Sequence, residues 1–495
     1  MSKTYDVIIV GAGISGINAA YRLQSQLPGY SYAILEARDD LGGTWDLFKY
    51  PGIRSDSDLF TFGFQFNPWP ADNPIAEGSA IKDYVRSTAK KFNIFPNIHF
   101  KHRLASADWS SESNSWSLAV QAGDQEQEQI FTARYVIFGT GYYNYHEPLK
   151  AEIPGLDAFA GKIVHPQFWP KDLDYKDKKI VIIGSGATAV TLLPNLAEKA
   201  QRVTMLQRSP TYILSLPNRT NSRWLSYILP YSWYTRLQRF IWIYTSRIFF
   251  LFCQRFPGLS RWLLRLNVNK QLPKHISHDP HFKPRYNPWD QRLCVCPDGD
   301  LFRSLRQGKA DVKTDTIKQV VKKGIVLNSG EQLDADIIIT ATGLRLQIAG
   351  GAKLSVDGKK IEIGDKYLWN GVMLQDLPNA AFVIGYTNAS WTLGADATAQ
   401  FVCRLLKKLE SEKLIAATPK LKEKDAATLQ DRPLLNLNST YVSIAQRVLP
   451  KAADRGPWQP RDHYLKDIKF AQGGDINTGL EFVQGPSVHL RAKLS

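Results

Sequence analysis

Residues 6–16 read DVIIVGAGISG. An apolar, β-branched run enters Gly11-x-Gly13-x-x-Gly16, and INAAYRLQSQL follows with a helical period. Strand, glycine turn and helix in that order build a loop on which a pyrophosphate can rest against the N–H groups that open the helix. One such loop is weak evidence. The chain has two. KIVIIGSGATAVTLLPNLAE, residues 179–198, carries Gly184, Gly186 and Ala189 at the same spacing, again between a strand and a helix pattern. The pair of loops predicts an α/β chain with two Rossmann-like dinucleotide-binding domains.

The strand after each loop tells the two sites apart. The first unit continues SYAILE, which places Glu36 where a carboxylate accepts from ribose hydroxyls. The second continues VTMLQRS, which places Arg208, after Gln207, at the equivalent point. An acid there repels a 2′-phosphate, whereas a guanidinium binds it as a fork. Gly11, Gly13, Gly16 and Glu36 are therefore candidates for FAD, and Ile183, Gly184, Ser185, Gly186, Ala187, Thr188, Ala189, Gln207 and Arg208 for NADPH. The plainer alternative leaves Glu36 and Arg208 as surface charges.

A chain of 495 residues, 44% hydrophobic and 22% charged, is long enough for two or three globular units. A strand that begins within a few residues of Met1 leaves no room for a targeting segment. Four scattered cysteines, two of them spaced C-x-C, fit neither a disulfide framework nor a metal site, so a cytoplasmic protein without metal is expected. The formal charge is +16, and it is concentrated: Arg202 to Lys309 holds 18 Lys/Arg against 4 Asp/Glu. No nucleic-acid-binding motif accompanies this excess.

Residues 216–289 interrupt the α/β alternation with an aromatic, Arg-rich stretch, RWLSYILPYSWYTRLQRFIWIYTSRIFFLFCQRF. Its uncharged runs are too short to span a bilayer. On a helical wheel Arg236, Arg239, Arg247 and Gln254 share one face, and aromatics cover most of the rest. Two readings follow: a helical subdomain packed over the active site, or an interfacial helix with peripheral membrane contact at the inner face of the cell membrane. With the strand–glycine segments YVIFGTGYY (135–143) and ADIIITATGL (335–344) as returns between domains, the expected organisation has five parts. These are 1–145 for FAD, 146–215 for NADP, 216–289 as the helical insertion, 290–345 as the second NADP part, and 346–495 as the second FAD part with a C-terminal tail.

Two long motifs narrow the assignment. FAGKIVHPQFWP meets F-x-G-x-x-x-H-x-x-x-W-P at Phe159, Gly161, His165, Trp169 and Pro170. G-x-W-x-x-x-x-Y-P-G-x-x-x-D is met by Gly43, Trp45, Tyr50, Pro51, Gly52 and Asp56. On these the chain resembles the type I Baeyer–Villiger flavoprotein monooxygenases, in particular the ethionamide-activating branch, from the N-terminus to about residue 470. The resemblance implies that His165 couples the motions of the two domains; a plain turn, fixed by one backbone hydrogen bond, is the alternative.

It also implies NADPH- and O2-dependent oxygenation on FAD, in which an oxygen-derived anion must stay ionised and dry beside a fixed cation. The family's arginine falls in RYNPWDQRLC as Arg292, and Asp56 is its orienting carboxylate, although an Asp ahead of SDLF also suits a helix N-cap. Many relatives place a lysine just before this arginine. Here it is Gln291, which leaves more of the 2′-phosphate discrimination to Arg208. By the same resemblance Ser15, Thr44, Trp45, Asp46, Leu47, Asp56 and Leu104 would contact FAD, with Arg54 and Ser55 on the nicotinamide side. The expected activity is insertion of oxygen beside a ketone carbonyl, with oxidation of soft sulfur. A heteroatom N/S-oxygenase is the first alternative, and a flavin redox sensor without turnover the second. A disulfide reductase is disfavoured, since no C-x-x-C follows the first nucleotide unit.

Overall fold

The computed structural model describes residues 3–220, 223–435 and 439–485. Residues 1–2, 221–222, 436–438 and 486–495 lie outside the described residues. The first half forms β1 (Lys3–Val10), α1 (Ile14–Gln26), β2 (Tyr32–Leu35), β3 (Ile98–His99), β4 (His102–Ser110), β5 (Ser115–Ala122) and β6 (Gln127–Phe138). β1 lies between β2 and β6, parallel to both, and β2 continues parallel to β3. The residues of β1 facing the core, such as Val7 and Ile9, are fully buried, as both faces of a parallel sheet require. β6 is long enough to serve two partners: its first half closes an antiparallel meander with β4 and β5, and its last half joins the parallel core.

A second sheet repeats the plan. β7 (Lys162–Val164), β8 (Lys179–Ile183) and β9 (Arg202–Gln207), with strands Ala310–Thr314 and Ile337–Thr340, form five parallel strands. β8 is central, between β9 and Ile337–Thr340, just as β1 lies between β2 and β6. A three-stranded antiparallel meander, Ile317 to Asp334, precedes the fourth strand here as β4–β5 precede β6 in the first sheet. In both, the glycine loop follows the strand at which the order reverses, where open α/β sheets bind ligands. The helix after the second loop is α2 (Ala187–Ala197). The α/β class with two Rossmann-like units is thus what the structure has.

Between β9 and Ala310–Thr314 lie the insertion helices α3 (Tyr231–Arg255) and α4 (Pro257–Asn269). α3 packs on the first body with the face that carries Arg239 and Arg247. The Arg239 guanidinium donates to the carbonyls of Phe60 (3.1 Å), Thr61 (3.3 Å) and Gly63 (2.8 Å), which end the short helix Leu59–Phe62. Those carbonyls have no intrahelical partners, and a cation satisfies them best. The long helix α5 (Trp391–Ser411) returns the chain to the first body and packs along α1. No helix among the described residues is long and apolar enough to cross a membrane.

Candidate functional site

A cavity of about 1270 Å³ opens between the two sheets, and both glycine loops line it. Within each loop the residues divide by role. Gly11 (φ +100°) and Gly184 (φ +139°) adopt backbone that side chains avoid. Gly16 allows close packing, since a Cβ there would lie 1.9 Å from the Gly11 carbonyl oxygen, and buried Ala189 packs α2 on its sheet. Neither Gly16 nor Ala189 lines the cavity. Gly13 and Gly186 differ. A Cβ at Gly13 would meet nothing closer than the Gly43 Cα at 3.6 Å, and one at Gly186 nothing within 4 Å. The protein itself tolerates a side chain at both points, so the open cradle fits a group that approaches the backbone there, as a pyrophosphate does.

Glu36 is buried at the end of β2 and accepts from the N–H groups of Ala12 (2.7 Å) and Arg38 (2.9 Å). Burial pushes its carboxyl pKa up. A carboxylate accepts roughly four hydrogen bonds, so capacity remains for ribose hydroxyls. Buried Ser15 accepts from the Trp391 indole N–H at 3.0 Å. Thr44, Trp45 and Leu104 stand on the same wall.

Asp46 and Leu47 do not. The Asp46 carboxylate turns to Arg38 and Lys82 (2.6 Å each) and Lys49 (3.3 Å), and Leu47 packs into the core of the second body. Burial would raise the Asp46 pKa, but Lys82 and Arg38 outweigh it and hold the carboxyl below its ordinary range.

Ile183 to Thr188, Gln207 and Arg208 line the same cavity. Arg208 is exposed at the end of β9. Gln207 is buried and its amide is engaged, donating to the His281 carbonyl (2.7 Å) and the Thr314 hydroxyl (2.9 Å). Its side chain fastens β9 to the neighbouring strand. Arg54 pairs with Asp300, and Ser55 is held by the backbone of Ala76.

Arg292 and Asp56, 236 positions apart, meet on the cavity wall at 2.5 Å. About a third of each side chain stays accessible (34% and 39%), so the pair faces the cavity space. Asp56 is the main reason that the Arg292 pKa is raised further above its already high value, against the opposing effect of burial. The N-cap of helix Leu59–Phe62 is Asp58, which accepts from the Thr61 N–H at 2.8 Å; Asp56 leaves that role to it.

The fingerprint residues stand apart from the cavity. Phe159 is in the core of the second body, and a Cβ at Gly161 would lie 2.3 Å from the Asp336 carbonyl oxygen. Trp169 packs half-buried on the second core, and Pro170 is exposed. His165 follows the edge strand β7, and its Nδ1 accepts from the Gln167 N–H at 3.2 Å. Burial lowers its pKa, partly opposed by the Gly343 backbone. Gln167 in turn donates to the Asn144 carbonyl at 2.6 Å. Asn144 and Gly343 belong to the two segments that pass between the bodies, and those segments pair with each other through Tyr143 and Leu346.

A model of the FMO-like family, described as flavin-binding monooxygenase-like, matches residues 4–449. The chain belongs to that family. The FAD-containing monooxygenase EthA of Mycobacterium tuberculosis is 46% identical over 497 residues, covering 98% of this chain and 99% of that protein. The probable FAD-binding monooxygenase AlmA of Acinetobacter baylyi is 44% identical over 97% of this chain and 96% of its own length. Among solved structures, an oxidised steroid monooxygenase bound to NADP matches with a TM-score of 0.75 at 20% identity, covering 98% of this chain and 100% of that one. Cyclohexanone-bound cyclohexanone monooxygenase matches with a TM-score of 0.74 at 18% identity and the same coverage. These two likenesses concern the fold.

The site of this flavin-binding monooxygenase also holds residues that the motifs do not announce. Tyr142, Tyr143 and Tyr441 line the cavity within electrostatic reach of Arg292, and the Tyr143 hydroxyl donates to that of Tyr142 at 2.7 Å. Burial pushes the Tyr441 phenol up to about 12. Tyr142 and Tyr143 directly follow the glycine turn of YVIFGTGYY, which was the available signal. Tyr441 has none in the local sequence. Trp289, three residues before Arg292, is clamped by Phe249 and Phe250 of α3 (ring centroids 6.4 and 5.6 Å), so the insertion helps to place the Arg292 loop.

Proposed function

We propose that this monooxygenase is FAD- and NADPH-dependent and of Baeyer–Villiger type. It inserts one O2-derived oxygen beside a ketone carbonyl to give an ester or lactone, and it oxidises thioethers and thioamides at sulfur. The observation that carries this reading is the Arg292–Asp56 pair on the wall shared by the two nucleotide loops. FAD, once reduced by NADPH, supplies the electrons with which O2 is activated.

The chain's residues do the rest. The first loop with Glu36 holds the ADP half of FAD, and residues 1–145 and 346–495 form its domain. The second loop with Arg208 holds NADPH, within 146–215 and 290–345. Arg292, which cannot lose its proton, stabilises the anion that attacks the carbonyl and the tetrahedral oxyanion that follows. Asp56 orients the guanidinium. His165, outside the cavity, acts as a positioning residue where the two crossings meet. The test is NADPH oxidation against a panel of simple ketones and sulfides, with products identified by mass. Esters or lactones support the reading. Sulfoxides alone would make the protein a heteroatom oxygenase, and coupled turnover of neither would leave a flavin-binding sensor.

A further inference from the structure

The insertion is built inside out. Its arginine-bearing face is turned into the protein at Arg239 and Arg247, and its apolar face is turned outward. Of the 21 large hydrophobic side chains exposed among the described residues, 15 lie between Leu216 and Leu266. On α3 they are Tyr231, exposed at the first turn, and Trp233, Phe240, Tyr244, Ile248 and Leu251, spaced so that these last five share one stripe. On α4, which packs beside α3, they are Leu259, Trp262, Leu263 and Leu266, again one stripe. A contiguous exposed apolar face of this size marks a surface that is covered in use.

The charge around it decides what covers it. Residues 223–270 contain eight Lys/Arg and no Asp or Glu. Arg236, Arg255, Arg261, Arg265 and Lys270 are exposed on the same two helices or at their ends. A second copy would bring these cations against one another. An anionic lipid surface complements both components, with aromatic and aliphatic side chains at the headgroup boundary and arginines among the lipid charges. We propose that the outer face of α3 and α4 docks this protein onto an anionic membrane surface. The opposite side of α3 supplies Trp242, Ile243, Ser246 and Phe249 to the cavity wall, so docking sets the cavity close to the bilayer, where apolar substrates concentrate. The docking itself does not depend on the reaction proposed above.

Co-sedimentation of the flavin-loaded full chain with vesicles tests it. One set is phosphatidylcholine alone, the other phosphatidylcholine with phosphatidylglycerol, each at low and high salt. The protein is expected to pellet with the anionic vesicles at low salt and to be partly released by high salt. Arg255→Gln/Arg261→Gln/Arg265→Gln should weaken binding about fivefold per arginine, the equivalent of the roughly 1 kcal/mol each contributes near such a surface. Trp233→Ser/Phe240→Ser/Trp262→Ser should abolish binding while flavin content and NADPH oxidation stay as in the parent, since none of the three touches the cavity. Absence of binding to anionic vesicles at low salt overturns the proposal, as does equal binding by the parent and both variants. A concentration-dependent dimer that the aromatic substitutions dissolve, without vesicle binding, would assign the face to a second copy.

Discussion

Arg292 is paired with Asp56, and Tyr142 and Tyr143 of the first crossing and Tyr441 of the C-terminal part line the same cavity within electrostatic reach of it. Replacing Arg292 by Ala removes from the cavity wall a guanidinium whose charge is independent of pH in the working range. Loss of a charged stabiliser at a developing oxyanion costs on the order of 3 kcal/mol, about a hundredfold in rate. Arg292→Ala is therefore expected to keep its flavin and to lose oxygenated product by at least about that factor, while some NADPH is still consumed; product within threefold of the parent, by mass spectrometry, would remove Arg292 from its role. Arg208 makes the cofactor prediction. With Gln291 beside Arg292 and the Gln207 amide already engaged, few other groups are placed to read a 2′-phosphate. A charge-assisted contact contributes about 1.5–3 kcal/mol, so Arg208→Ala should lower the NADPH/NADH ratio of kcat/KM roughly ten- to a hundredfold. An unchanged ratio would move phosphate recognition elsewhere.

At the scale of elements, the two glycine loops show how local sequence becomes a binding surface. In each, one glycine makes the turn, one leaves the backbone bare, and the third position lets helix and strand approach. Gly13→Val separates these roles experimentally. The backbone at Gly13 has a φ of −74°, and a Cβ there meets only Gly43 at ordinary contact distance, so the fold should form. The side chain would occupy cavity space instead. A variant that folds with parental circular dichroism but purifies colourless is the expected result. One that is yellow with full flavin content would show that the pyrophosphate lies elsewhere. The insertion teaches the complementary point. A helical wheel puts Arg236, Arg239, Arg247 and Gln254 on one face, but the structure buries Arg239, half-buries Arg247 and leaves Arg236 and Gln254 exposed, and the wheel does not say which side faces inward. That is decided by the unpaired carbonyls of residues 60, 61 and 63, which draw Arg239 into the protein.

At the scale of the molecule, the two bodies meet across ion pairs as well as through the two crossings. Arg292–Asp56 is one, and Arg54–Asp300 is a second, joining the segment after the YPG turn to the helix Asp300–Arg306 of the second body. The side chains of Arg54 and Asp300 are mostly buried, at 11% and 22% exposure, between the values expected for surface pairs and for fully buried ones. Asp300→Asn should cost about 1–3 kcal/mol of stability. Because Arg54 is proposed to face the nicotinamide rather than the reacting centre, the expected functional effect is on coupling. NADPH consumed per product should rise several-fold with flavin content unchanged, and a parental coupling ratio would show that the seam carries no part of the cycle.

What the sequence determined by itself is what is encoded within about thirty residues: both strand–glycine–helix units, the acid after one and the arginine after the other, the cap-rich turn before SDLF, and the break in pattern at 216–289. Local chemistry suffices for these, because backbone conformation and helix or strand period depend on neighbours in the chain. The family resemblance also brought Arg292 and Asp56 forward. Only the tertiary structure put those two at hydrogen-bond distance across 236 positions, gave the helix cap to Asp58, turned Asp46 away from the cavity, gathered Tyr142, Tyr143 and Tyr441 around the guanidinium, and chose the outward face of the insertion. Each of these depends on which distant groups need a partner once buried, and an unpaired buried carbonyl or charge costs too much to be left alone.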